Sequence, residues 1–209
     1  MGEGSSKTKL FLHACCGPCS LEPVRILTSL GYAPTLVYIN PNIEPADEYK
    51  RRLAVLRSWA KVVEVPCLEG PNNKNVWQEQ VACFGSNREK RCAACYKLRL
   101  EASARMACEL GFTCLSTTLA VSPYQLFDIC GEALANVCET HGLTPVWLDF
   151  RPYYAEATRR SRALGMYRQN YCGCRFSAAE AARERTEARD KRKLSKDIER
   201  LYSIAQTER

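Results

Sequence analysis

The sequence predicts an α/β fold: a mostly parallel sheet with helices on both faces, plus a helical C-terminal extension. Two observations carry this. Five short apolar or β-branched runs alternate with segments of helical periodicity. The chain is also long enough for one ordinary core, with 209 residues, 46% hydrophobic and 25% charged. That balance excludes disordered and collagen-like chains and favours a single domain over residues 1–209, ending in an extension over 178–209.

Lys9–Ala14 reads as the first strand, and Leu21–Leu30 as a helix stopped by Gly31. Thr35–Ile39, rich in β-branched and aromatic residues, is the second strand. Glu44–Lys61 is helical, with Pro45 in its first turn and Tyr49, Leu53, Leu56 and Ala60 on one face; Val62–Val65 follows as a strand. Val76–Phe84 is a helix and Gly85–Arg91 a polar stretch. Cys95–Leu110 is a helix, Thr113–Ser116 a strand, and Ser122-Pro123 opens a helix ending near Gly142. Pro145–Phe150 supplies the fifth strand, giving a Rossmann-like alternation. The remainder is helical apart from a loop at Tyr167–Cys174. Its last helix opens on Ser177-Ala-Ala-Glu180, a capping-box pattern, and carries Leu194, Ile198, Leu201 and Ala205 as one seam for docking.

Charge is unevenly placed. The net +7 lies wholly in Arg151–Arg209, where 15 basic residues face 8 acidic ones. A one-sided basic excess is the footprint of a polyanionic partner; its bland alternative is a solvated helix. No secretory leader pattern and no membrane-length apolar run are present. The expected location is therefore cytoplasmic, without a membrane partner. There thiols stay reduced, and clusters among the 13 cysteines serve metal or redox chemistry.

Three cysteine motifs stand out. His13-Ala-Cys15-Cys16-Gly-Pro-Cys19 lies between a strand and a helix, where a helix N-terminus stabilises thiolates. Arg91-Cys92-Ala-Ala-Cys95-Tyr96 leads into another helix among several cations. Tyr167-Arg-Gln-Asn-Tyr-Cys172-Gly-Cys174 brings two sulfurs close across one glycine. Cys16-Gly-Pro-Cys19 alone fits a thioredoxin-like dithiol oxidoreductase, but that leaves five motif cysteines idle. A zinc-held RNA-binding module is the second alternative, although adjacent Cys15-Cys16 suits zinc spacing poorly. An iron–sulfur cluster accepts adjacent and distant ligands more readily. Cys67, Cys83, Cys108, Cys114, Cys130 and Cys138 read as core or surface thiols.

Ligands in open α/β sheets bind beyond the carboxyl ends of the strands. The polar segments Cys15-Cys16, Asn40-Pro41-Asn42, Ser116-Thr117-Thr118 and Arg151-Pro152-Tyr153 all follow strands and should share one rim. No phosphate-cradling glycine loop is present, which argues against a nucleotide cofactor.

These motifs, together with Tyr38-Ile-Asn-Pro-Asn-Ile43, Glu48-Tyr49, Leu98-Arg99-Leu100, Thr117-Thr118-Leu119 and Ser122-Pro123, resemble the QueH family of cobalamin-independent epoxyqueuosine reductases. The likeness runs over roughly Lys9–Ser177 and implies a catalytic core of about 9–177. It implies removal of the epoxide oxygen of epoxyqueuosine at the tRNA wobble position, giving queuosine. It also implies a 4Fe-4S cluster on Cys15, Cys16, Cys92 and Cys95, with Cys19 the candidate ligand of an adjacent mononuclear iron. Cys172 and Cys174 become a redox-active disulfide. Asn40, Asn42, Thr117, Thr118, Tyr167, Arg168, Gln169 and Asn170 become substrate-binding candidates, and Tyr167, Tyr171, Asp149 and His13 candidate proton donors. The partners implied are tRNA carrying epoxyqueuosine in its anticodon loop and an electron donor. The basic C-terminal segment is expected to contact tRNA phosphates.

Overall fold

A computed structural model describes residues 7–207, with side chains through residue 199. The chain divides between Arg168 and Gln169 into two compact units.

The first unit is a five-stranded sheet in the order β3-β2-β1-β4-β5, and every pairing is parallel. Its strands are β1 (Thr8–His13), β2 (Tyr32–Tyr38), β3 (Cys67–Glu69), β4 (Cys114–Thr117) and β5 (Thr144–Pro145). Its helices are α1 (Gly17–Ser29), α2 (Ala46–Val62), α3 (Lys74–Gln80), α4 (Arg88–Glu109), α5 (Phe127–His141) and α6 (Tyr154–Ala163). The second unit holds α7, Arg175–Thr207.

The central strands are apolar on both faces because both faces are covered. Leu10, Leu12, Leu36 and Tyr38 point into one core with residues of α1, α2 and α6. Phe11, Val37, Ile39 and Leu115 point into the other, with α4 and α5. Period-two alternation thus divides each strand between two hydrophobic layers. The order places β1 beside β4, so chain direction out of the sheet reverses between them, and this is where an open α/β sheet forms its crevice.

Several expected boundaries move. The third strand is Cys67–Glu69, not Val62–Val65: α2 continues to Val62, which is 81% exposed, and Glu64 turns the chain at φ 56°. β-branched residues at a helix end imitated a strand there. The fifth strand is two residues long rather than Pro145–Phe150. It is an edge strand, a place that tolerates a proline without an N–H, and after Val146 donates to Leu115 O (2.8 Å) it leaves the sheet. Trp147 then packs on Phe127, ring centroids 4.6 Å apart. Ser122-Pro123 forms a turn closed by Gln125 N–H on Ser122 O (3.1 Å), and α5 starts only at Phe127.

In the second unit, α7 is already helical at Arg175, so Ser177 lies inside its first turn and the expected capping box does not start the helix. Of the expected docking seam, Leu194 and Ile198 are 60% and 44% exposed; Leu201 and Ala205 lie outside the described side chains. No helix among the described residues is long and apolar enough to cross a membrane.

Candidate metal centre

β1 ends on His13, Ala14 adds one more ladder bond to Val37 O (2.8 Å), and the chain then turns into α1. Cys16 caps that helix with sulfur in the place usually taken by oxygen: its Sγ accepts the Cys19 N–H at 3.4 Å. Pro18 occupies the first helical turn, where no backbone donor is missed. Gly17 is needed for packing, since a Cβ there would lie 2.9 Å from Val55 Cγ1 of α2.

The result brings three thiols together. The Sγ atoms of Cys15, Cys16 and Cys19 all lie within 4.8 Å of one another, and those of Cys15 and Cys16 are 3.9 Å apart. Their ionisation is unequal. Thiol donors from Cys16 and Cys19 hold Cys15 well below the usual range, aided by Thr118 and the charge of Arg99. Burial pushes Cys16 up, and hydrogen bonding to its two neighbours pushes Cys19 up. One thiolate shared among three sulfurs is the donor chemistry of a metal site.

The neighbouring strand ends fix this loop. Thr118, just past β4, accepts the Cys15 N–H at 3.1 Å and donates its hydroxyl to Cys15 Sγ at 3.4 Å. Asn40, just past β2, donates to Ala14 O at 2.9 Å and accepts from the Arg99 guanidinium. His13 is fully buried. Its Nε2 faces the Ile39 carbonyl at 3.1 Å and therefore carries the proton, leaving Nδ1 to accept from Thr117 Oγ1 at 2.8 Å. Burial, reinforced by Arg99, lowers His13 to about 3. It is a neutral strut, not an acid. Asp149 is no acid either, because the hydrogen bonds from Arg151 hold its carboxyl below the usual range.

Both cysteines of the second pair lie within α4, which starts at Arg88 rather than at Cys95 because Asn87 caps it by accepting the Lys90 N–H. Cys92, Cys95, Tyr96 and Arg99 recur at helical spacing, so they share one face. Cys15 and Cys92 pack against the same buried cluster, and Trp77 of α3 donates its indole N–H to Cys95 Sγ at 3.4 Å. Arg99, a residue within the resemblance to which no role attached, is 1% exposed and reaches Asn40 and Ile39 O. Its seven-residue spacing from Cys92 was the available signal.

Among the substrate-binding candidates, Asn40, Thr117 and Thr118 are buried and engaged in holding the thiol loop. Asn42 is 1% exposed, and its Oδ1 meets no partner among the described residues; Ser116 Oγ is in the same state. Tyr167 donates to Glu48 Oε2 at 2.7 Å, with the Arg51 guanidinium 4.8 Å from its ring centroid. Burial and that hydrogen bond raise its hydroxyl, so it stays protonated. Arg168 donates to Thr158 of α6 at 3.1 Å.

Gln169, Asn170, Cys172 and Cys174 belong to the second unit. Cys172 is half-buried and Cys174 buried. Gly173 between them takes φ 143°, a backbone state that side chains disfavour, which explains a glycine there. Cys174 repeats the device of Cys16, its Sγ accepting the Ser177 N–H at 3.4 Å at the start of α7.

The model of the family described as Epoxyqueuosine reductase QueH matches residues 10–180. The chain belongs to the QueH family. It is 31% identical over 175 residues to the Epoxyqueuosine reductase QueH of Dehalococcoides mccartyi, covering 82% of this chain and 93% of the relative. Against the QueH of Thermotoga maritima it is 30% identical over 190 residues, covering 88% and 97%. A solved structure described as a predicted subunit of tRNA methyltransferase from Methanocaldococcus jannaschii shares the fold, with TM-score 0.53, 13% identity and 74% of each chain covered. The QueH match begins within β1, spans the thiol loop, α4, β4 and the Tyr167–Cys174 motif, and stops in the first turns of α7.

Proposed function

We propose that this chain reduces epoxyqueuosine at the tRNA wobble position to queuosine, and that it does so with a 4Fe-4S cluster held by Cys15, Cys16, Cys92 and Cys95. Family membership makes it an oxidoreductase. The observation that supports the rest is the thiol triad at the sheet's switch point, biased so that Cys15 ionises first. In the thioredoxin reading, Cys16 would have to be the thiolate. Here burial raises Cys16, and the cysteine that is lowered lies outside the C-x-x-C.

The overall change consumes two electrons and two protons: both carbon–oxygen bonds of the epoxide break, an alkene forms, and the oxygen leaves as water. Oxidation of the Cys172 and Cys174 thiols to a disulfide releases that number of each, and an external electron donor restores the thiols. A bound iron–sulfur cluster supplies single-electron transfer, and an adjacent iron, with Cys19 as its candidate ligand, supplies a Lewis acid for oxygen. The chain's own residues do the positioning. Thr118 and Asn40 fix the thiol loop from the ends of β4 and β2, and Arg99 sets a buried positive charge beside it. Asn42 Oδ1, with no donor among the described residues, is an acceptor for a substrate N–H or O–H. In the first unit the protonated Tyr167 hydroxyl and the Arg168 side chain are further candidate contacts; Gln169 and Asn170 are those the second unit carries.

Anaerobic reconstitution tests this reading. The expected product is a brown protein with iron and sulfide, its visible absorption bleached by dithionite, which converts epoxyqueuosine in tRNA to queuosine as read by nucleoside mass spectrometry. Cys172→Ala should keep the colour and lose multiple turnover. A colourless zinc protein that binds RNA without turnover would establish the RNA-binding module instead.

A further inference from the structure

Beyond residue 180, where the family match ends, α7 continues to Thr207 as part of a helix of 33 residues, about 50 Å long. Every side chain from Ala182 to Glu199 is exposed. These residues are highly charged but not mixed at random. With 3.6 residues per turn, Arg185, Arg189, Arg192, Lys193 and Lys196 fall within a sector of about 100° around the axis. Glu184, Glu187, Asp190 and Asp197 fall outside it, as do Arg183 and Lys191. Pairing does not neutralise the sector: among the described residues its closest ion pair is Arg189 with Asp190 at 3.9 Å, and the Arg189 side chain is 82% exposed. A solvated helix has no need to segregate its charges, since interspersed opposite charges at i,i+4 spacing support a helix better.

We propose that this face of α7 is a docking rail for the phosphate backbone of the tRNA substrate, outside the nucleotide that reacts. The inference rests on the reductase reading only for the identity of the RNA. Five cations on one exposed face, with no apolar side chain among them, match a polyanion in charge and offer nothing to a hydrophobic partner. Regular spacing along about 16 Å of helix suits repeated phosphates read without regard to sequence.

The test uses the full chain and two charge-matched variants. R189Q/K196Q lies on the rail and R183Q/K191Q lies off it. Binding of a fluorescent tRNA transcript is followed by anisotropy from about 50 to 200 mM salt, with helix content checked by circular dichroism. The rail variant should lose about tenfold in affinity at low salt, and its log–log salt slope should be shallower by about 1.5 to 2, as for two lost phosphate contacts. The off-rail variant should stay within about twofold of the wild type. Equal losses in both variants would mean that only net charge matters, and would overturn the rail. Unchanged RNA binding in the rail variant would overturn it too, including the case where that variant is reduced more slowly by an acidic electron-carrier protein. Turnover judges the other reading separately: rail-dependent binding in a wild type inert on epoxyqueuosine tRNA would keep the rail and discard the reductase.

Discussion

Two polar regions of this molecule are built in opposite ways. At the rim of the sheet, His13, Asn40, Arg99, Thr117 and Thr118 are buried and hydrogen-bonded to one another, to backbone carbonyls or to Cys15. Along α7 the polar side chains from residue 183 to 199 are exposed and barely paired. Buried polar groups cost free energy unless every partner is present, so the rim holds one geometry and suits positioning. Exposed cations cost little to leave unpaired, so α7 tolerates substitution and suits association with a moving polyanion.

The sharpest way to break this contrast is Arg99→Leu. It removes a buried charge from Asn40 and Ile39 O and from beside Cys15, and should lower stability by about 3 kcal/mol, the scale of hydrogen bonds to charged groups. Urea unfolding of the metal-free protein reads the stability, and iron and sulfide content after reconstitution should fall with it. A change under about 0.5 kcal/mol would place Arg99 with the surface residues.

His13 gives the rim a pH signature. Its folded value is lowered to about 3 from the ordinary 6.5, so between those values the unfolded chain binds one more proton. Stability is then greatest above the unfolded value and is lost as pH falls, by on the order of 1 kcal/mol per unit. Urea midpoints at about pH 7, 6 and 5 for wild type and His13→Gln check this. The wild type should lose stability faster on acidification, and parallel curves would show that His13 is hydrated.

A smaller effect is expected from Thr118→Val, which removes both hydrogen bonds to Cys15 while keeping the shape. The cost should be about 1 kcal/mol, with a rise in the pH at which Cys15 becomes reactive toward a thiol-alkylating reagent. The smallest belongs to α7: Leu194→Ala should change stability by less than about 0.5 kcal/mol, because the side chain is 60% exposed. A loss above about 1.5 kcal/mol in thermal unfolding would show that Leu194 is packed.

Much of the site was legible because its chemistry is local. Cys15-Cys16 and Cys19 sit within one turn after an apolar strand, and strand followed by helix places that turn at a sheet rim whatever the rest of the chain does. Elements with strong period-two or 3.6-residue patterns, such as β1 and α2, were legible for the same reason. Val62–Val65 and Pro145–Phe150 were not, because edge strands are set by which neighbour offers free ladder groups, and β-branched residues also end helices. Cys92 falls outside the helix that the sequence predicts, Cys95–Leu110, because the polar residues before it hide a helix start that Asn87 caps.

By itself the sequence determined the α/β alternation, the thiol-rich turn and the family, since each depends on residues close together or on a pattern carried along one segment. Tertiary structure alone decided that Arg99 stands buried beside Cys15, that His13 is a neutral strut, that Asn40, Thr117 and Thr118 hold the loop, and that Leu194 and Ile198 of α7 are exposed. Those outcomes depend on burial and on partners as many as 104 residues apart, as between His13 and Thr117. Desolvation and long-range pairing are properties of the packed chain, so no spacing along it encodes them.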